Sequence, residues 1–227
     1  MDAMGLGGHD RRRVVAAAAA LAVPAVLAGS AASADQVPTV APLLAAYSPV
    51  SPGTSCVPKD VAGVVNAIAW AEIERLGEAG LPVCDVEWRF VADRDEWWWW
   101  GFADADVAPG EVPDVWIVQD VAAYADEGAA EVDGGQLEQH VRTTVRHELG
   151  HALGALLDLN DENLADLVVV ELEQEGPETT PVREAFAEAI ALALTPADEN
   201  RTVFYDEDVP EENVRAAELV LRAFVTD

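Results

Sequence analysis

The chain has 227 residues, 42 acidic side chains against 13 basic ones, and a formal net charge of −29. It has no basic stripe and a single lysine, Lys59, which argues against nucleic acid as a partner and against anionic membrane surfaces. The length suits one domain with a sizeable core. So acidic a surface fits a solubilising role first, with life in high salt or a preference for cationic substrates as alternatives.

In chain order, the first 34 residues read as a secretory signal peptide. Arg11, Arg12 and Arg13 form a basic n-region, Val14 to Leu27 an alanine-rich apolar run, and Ala32-Ser33-Ala34 a small-x-small cleavage site. The apolar run is short for a membrane span and contains Pro24, which favours processing over an uncleaved anchor. The adjacent arginines leave general or twin-arginine export open. The protein is thus expected to be secreted and, once processed, free of the membrane. Residues 35–55 hold Pro38, Pro42, Pro49 and Pro52 among serines and read as an N-terminal arm or linker. Cys56 and Cys84 are the only cysteines. In an oxidising compartment they are expected to pair, closing a loop of about 28 residues and contributing roughly 3 kcal/mol. A domain is expected over residues 56–227.

Asp60 to Leu76 carries Val61, Val64, Val65, Ile68, Ala69, Glu72 and Ile73 at helical spacing, with Gly77 and Gly80 as stops. Val83 to Ala92 alternates: Cys84, Val86, Trp88, Phe90 and Ala92 on one face, Asp85, Glu87 and Arg89 on the other, as in a half-buried strand. Trp97 to Trp100 are four consecutive tryptophans. They read as a hydrophobic hairpin capping the core or as an aromatic wall beside a cleft. Asp114 to Asp120 reads as a buried strand, and a loop over Ala122 to Gly135 contains Tyr124.

A long helix is expected from Leu137 to Leu159. It holds His147-Glu148-Leu149-Gly150-His151, an H-E-x-x-H motif. Residues four apart on a helix share a face, so His147 and His151 can aim two imidazoles at one metal ion, with Glu148 beside them to hold water. Zinc suits such a set, with one position left open. Val141, Val145, Leu149, Ala152, Leu153 and Leu156 form the apolar stripe that would bury this helix. Beyond it lie an acidic stretch, Asp158 to Asp166, an apolar segment, Leu167 to Leu172, and a break at Gly176-Pro177. Helices are expected over Val182 to Leu194, opened by Pro181, and over Glu211 to Val225. No internal repeat is present.

Two histidines need a third ligand. Asp158 lies two turns, about 10 Å, past His151, and reaches back only if the helix breaks at Gly154. Glu184 is the better candidate. It sits one turn before Glu188 on a helix whose Ala187 and Ala191 permit close packing. Glu188 would then fix the orientation of a ligating histidine. The alternative is an alanine- and glutamate-rich solvated helix.

H-E-L-G-H followed by E-A-F-A-E some thirty residues later resembles the gluzincin branch of the zincin metallopeptidases. The resemblance implies an α+β, zincin-like catalytic domain, mostly helical, with a short mixed sheet next to the zinc helix. It implies His147, His151 and Glu184 as ligands of one Zn2+, Glu148 as general base, and Glu188 behind the ligands. It implies a secreted metalloendopeptidase acting on peptide or protein substrates, with Val115 to Val118 as the edge strand that aligns them. Tyr205 and Tyr124 are the tyrosines to consider as oxyanion stabilisers. A catalytically degenerate domain kept for binding is the alternative. Calcium is a third idea: Asp158, Asp161, Glu162 and Asp166 cluster in sequence but lack EF-hand spacing.

Overall fold

The computed structural model describes residues 56, 58, 61–92, 100–104, 107–108, 111–124, 133–170, 181–199 and 209–225. Their elements, in order, are α1 (Val64–Glu78), β1 (Glu87–Val91), β2 (Gly101–Ala103), β3 (Asp114–Val118), α2 (Gly134–Leu156), α3 (Asp161–Leu167), α4 (Pro181–Leu194) and α5 (Glu211–Val225). Short 3-10 turns lie at Val83–Asp85 and Val121–Tyr124. The architecture is α+β, with five helices and a small mixed sheet among the described residues. The signal-peptide and arm assignments fall outside those residues, as do Tyr205 and Trp97 to Trp99.

The sheet order is β1-β3-β2; β1 runs parallel to β3 and β2 antiparallel to it. Val115 to Val118 is therefore paired on both sides, which corrects its reading as an edge strand. Among the described strands β2 holds that place on the side of α2. Val115, Ile117 and Val118 are buried against the helices, while Trp116 faces away and meets Phe102 of β2.

The helix at the centre is α2. Asp133 caps its start, its carboxylate accepting from the backbone N–H groups of Gly135 and Gln136. Val141, Val145, Leu149, Ala152 and Leu153 are buried, and so is every residue from Thr143 to Gly154. From Thr143 to Gly154 the helix is enclosed rather than half-solvated, packed by α1, α4 and the sheet, while its first two turns are mostly exposed. A cost of that enclosure is Arg146, whose guanidinium is buried. It is matched by Glu72 of α1 at 2.6 Å, Glu199 at 2.7 Å and the Thr195 hydroxyl at 3.1 Å. Arg75 also donates to Glu72 and to the Leu194 carbonyl at the end of α4. Ion pairs thus join α1, α2 and the end of α4 on the side of α2 away from its histidines.

Several boundaries differ from the sequence expectation. Gly77 does not end α1. It lies inside the helix, where a Cβ would come within 2.9 Å of Val83, and Gly80, at φ 92°, makes the turn. The alternation over Val83 to Ala92 begins only at Glu87, because residues 83–85 coil into a 3-10 turn that buries both Val83 and Asp85. Cys56 and Cys84 are bonded, tying residue 56 to that turn. The acidic stretch after α2 contains α3, capped by reciprocal bonds between Asn160 and Asn163.

Candidate metal centre

His147, Glu148 and His151 project from the middle of α2, and Glu184 and Glu188 from the facing turns of α4. The two helices approach closely at Gly150, where a Cβ would fall 2.7 Å from the Ala187 Cα. The glycine inside H-E-L-G-H and the alanine inside E-A-F-A-E are the contact that lets carboxylates on one helix reach imidazoles on the other.

Three atoms converge there. His147 Nε2 lies 3.1 Å from Glu184 Oε2 and 3.2 Å from His151 Nε2, and His151 Nε2 lies 3.5 Å from Glu184 Oε2. Zinc bound through N and O at roughly 2.0–2.1 Å in tetrahedral geometry needs donors about 3.3 Å apart. The donor set, two imidazoles and a carboxylate, is of the borderline hardness that zinc accepts. Among the described residues, these three form the cluster of His, Cys, Asp and Glu side chains able to hold a metal ion. The structure brings Glu184, not Asp158, to the histidines: α2 runs unbroken through Gly154, and Asp158 follows its end, exposed, at φ 53°. Asp161 pairs instead with Arg183 at 2.7 Å.

Glu188 is buried and bonded to His147 Nδ1 at 3.0 Å. That bond fixes the ring and turns Nε2 toward the cluster. Burial by itself lowers the His147 pKa, but hydrogen bonds to Glu184 and Glu188 override it and raise the pKa well above the ordinary value. Burial would raise the Glu184 pKa; the charge of His151 and the hydrogen bond from His147 instead hold it far below the carboxylate range. Glu148 moves the other way. Burial raises its pKa, and the nearby histidines only partly offset this. One carboxylate is held as an anion while its neighbour is made more basic, the division expected between a ligand and a proton acceptor.

Glu148 lies directly beneath β2. A Cβ on Gly101 would come within 2.8 Å of Glu148 Cγ, 2.9 Å of its Oε1 and 2.7 Å of Thr144 Cγ2. In the sequence, the sign of this close approach is a glycine straight after four tryptophans. Trp100 stacks on His140 at 4.6 Å and donates its indole N–H to the Ala123 carbonyl. This member of the tryptophan run is thus a packing residue. Tyr124 is fully buried, and its hydroxyl donates to the Val118 carbonyl at 2.7 Å. Burial and the Glu148 charge push its pKa up.

Set beside family models, curated proteins and solved structures, the chain matches none of them.

Proposed function

We propose that this protein is a secreted zinc-dependent endopeptidase of gluzincin type. The observation that carries the reading is the triangle of His147 Nε2, His151 Nε2 and Glu184 Oε2, with edges of 3.1–3.5 Å, beside a buried glutamate of raised pKa. The disulfide and the basic-apolar leader support an oxidising, exported setting.

Zinc in this site would supply Lewis-acid polarisation of a peptide carbonyl and a water of lowered pKa. Each protein group then has one task. His147, His151 and Glu184 hold the ion. Glu188 keeps His147 in the tautomer that presents Nε2. Glu148 takes a proton from the attacking water and passes it to the leaving amine. The enclosure of α2 keeps this carboxylate away from bulk solvent.

The test is elemental analysis and peptide cleavage on wild type, Glu148→Gln and Glu184→Ala, purified without a metal-affinity tag. About one zinc per chain is expected in wild type and in Glu148→Gln, and little in Glu184→Ala. Cleavage should survive only in the wild type. Zinc retained in Glu184→Ala would overturn the ligand set, and full activity in Glu148→Gln would overturn the mechanism. A wild type that binds zinc yet cuts no peptide would be a binding domain.

A further inference from the structure

The two histidines of the triangle differ in what stands behind them. His147 has its Nδ1 bonded to Glu188. His151 turns Nε2 to His147 and Glu184, and among the described residues no protein group meets its Nδ1. Yet His151 is only 6% exposed. A ring nitrogen so enclosed has lost most of its contact with bulk water and gained no protein partner, which is costly.

Almost one turn further along α2 stands Gly154. Glycine inside a helix is destabilising relative to alanine, and packing does not require it here. A Cβ at 154 would meet nothing nearer than the Phe186 ring at 3.8 Å, an ordinary contact, and its φ is not positive. Gly150, by contrast, is demanded by the Ala187 backbone. What the bare Cα at 154 leaves is space. His151, Gly154, Leu164, Arg183 and Phe186 line a half-open recess of about 10 Å³, the scale of one water molecule and of nothing larger. Leu164 and Phe186 are buried core residues, so fixed structure shapes the walls. His151 thus borders two spaces. Its Nε2 belongs to the metal triangle, and Nδ1 is the polar atom it has left for the recess. Arg183, whose Nε donates to Asp161, is a donor-only side chain on the same recess.

We propose that the recess is a site for one ordered water, which accepts the Nδ1–H of His151 and so holds that ring with Nε2 toward the metal. Arg183 supplies a second donor and the open side an acceptor, within the roughly two to four partners that such a water takes. The water does for His151 what Glu188 does for His147. Gly154 is the positioning residue, acting by leaving the water its room. The inference rests on the metal-centre reading above.

Zinc affinity by chelator competition tests it, in wild type, Gly154→Ala and Gly154→Ser. A methyl group at 154 fills the recess; a hydroxymethyl group fills it and returns an acceptor for the Nδ1–H. Gly154→Ala should bind zinc at least about tenfold more weakly than wild type, and Gly154→Ser within about threefold of it. Both metal-free variants should melt no lower than wild type, since each replaces a helical glycine. Crystals of the wild type should show a water roughly 2.7–3.2 Å from His151 Nδ1, and crystals of Gly154→Ala should not. Unchanged zinc affinity in Gly154→Ala, equal weakening by alanine and serine, or no water on Nδ1 in the wild type would overturn the proposal. A wild type that takes up no zinc but carries this water, lost in Gly154→Ala, would support the water site and overturn the metal reading instead.

Discussion

His147 carries more of the site's behaviour than its place as one of three candidate ligands suggests. Its Nδ1 faces Glu188 and its Nε2 faces Glu184, so a protonated ring is held between two carboxylates. A metal must displace the proton on Nε2. Zinc uptake near neutral pH is expected to release about one proton, and apparent affinity to rise with pH. Calorimetry in buffers of different ionisation enthalpy, with a competing chelator, measures both; affinity independent of pH would contradict the assignment. The same pairing sets the stability of chelator-treated protein. The His147 pKa is raised above its ordinary 6.5. Its contribution is therefore present in full below about pH 6.5 and is lost as pH rises through the elevated folded-state value. Glu184, with its pKa lowered from 4.5, contributes above its unfolded value and loses that contribution only in strong acid. Urea melts of chelator-treated protein should thus weaken from pH 6 toward alkaline pH, and zinc-loaded protein should not show that loss.

Among the elements, β2 and the ion-pair clamp behind α2 were invisible in the sequence, for different reasons. Gly-Phe-Ala has three residues and no alternation of its own; it becomes a strand only by pairing with β3. Gly101→Ala places a methyl group against Glu148 and Thr144, so either the strand or the carboxylate must move. We expect kcat to fall at least about tenfold, with zinc content unchanged. Adding Thr144→Ser, which removes the contacted Cγ2, should recover thermal stability and not kcat; recovery of both would assign the effect to packing alone. Arg146 was unreadable because its partners stand at 72, 195 and 199, far off in sequence. Removing one member of a buried ion pair costs about 3–5 kcal/mol. Arg146→Ala should lose stability on that scale in urea denaturation. A loss below about 1 kcal/mol, the value of an exposed pair, would mean the clamp is solvated. H-E-L-G-H, E-A-F-A-E, α4 and α5 were legible because their information is local: spacing of four within one helix, and apolar periodicity. The start of β1 was misjudged because an alternating pattern cannot reveal that its first turn is coiled. The caps of α3, Asn160 and Asn163, stood in plain view within a stretch that looked merely acidic.

At the scale of the whole molecule, charge is the dominant feature and the one least tied to the fold. Even if each of the 13 basic side chains neutralised one acid, 29 carboxylates would remain. Several bases are already committed: Arg75 and Arg146 to Glu72, Arg142 to Glu138 and Glu199, Arg89 to Asp114, Arg183 to Asp161. Self-repulsion among the remaining acids opposes the compact state. Salt screens it, since the Debye length falls from about 30 Å at 0.01 M to about 3 Å at 1 M. Salt also weakens the exposed pairs, but these are few and individually worth only about 0–1 kcal/mol, while the Arg146–Glu72 pair is shielded by burial. The repulsive contribution wins, and the melting temperature should rise steadily between 0.01 and 1 M sodium chloride. The separation of general screening from ion binding needs one more series. Among the described residues no acidic cluster other than the histidine site brings donors together for a cation. Calcium chloride at matched ionic strength should then stabilise no more than sodium chloride does. An excess stabilisation that saturates at millimolar calcium would instead show a bound cation and put the acidity to a second use.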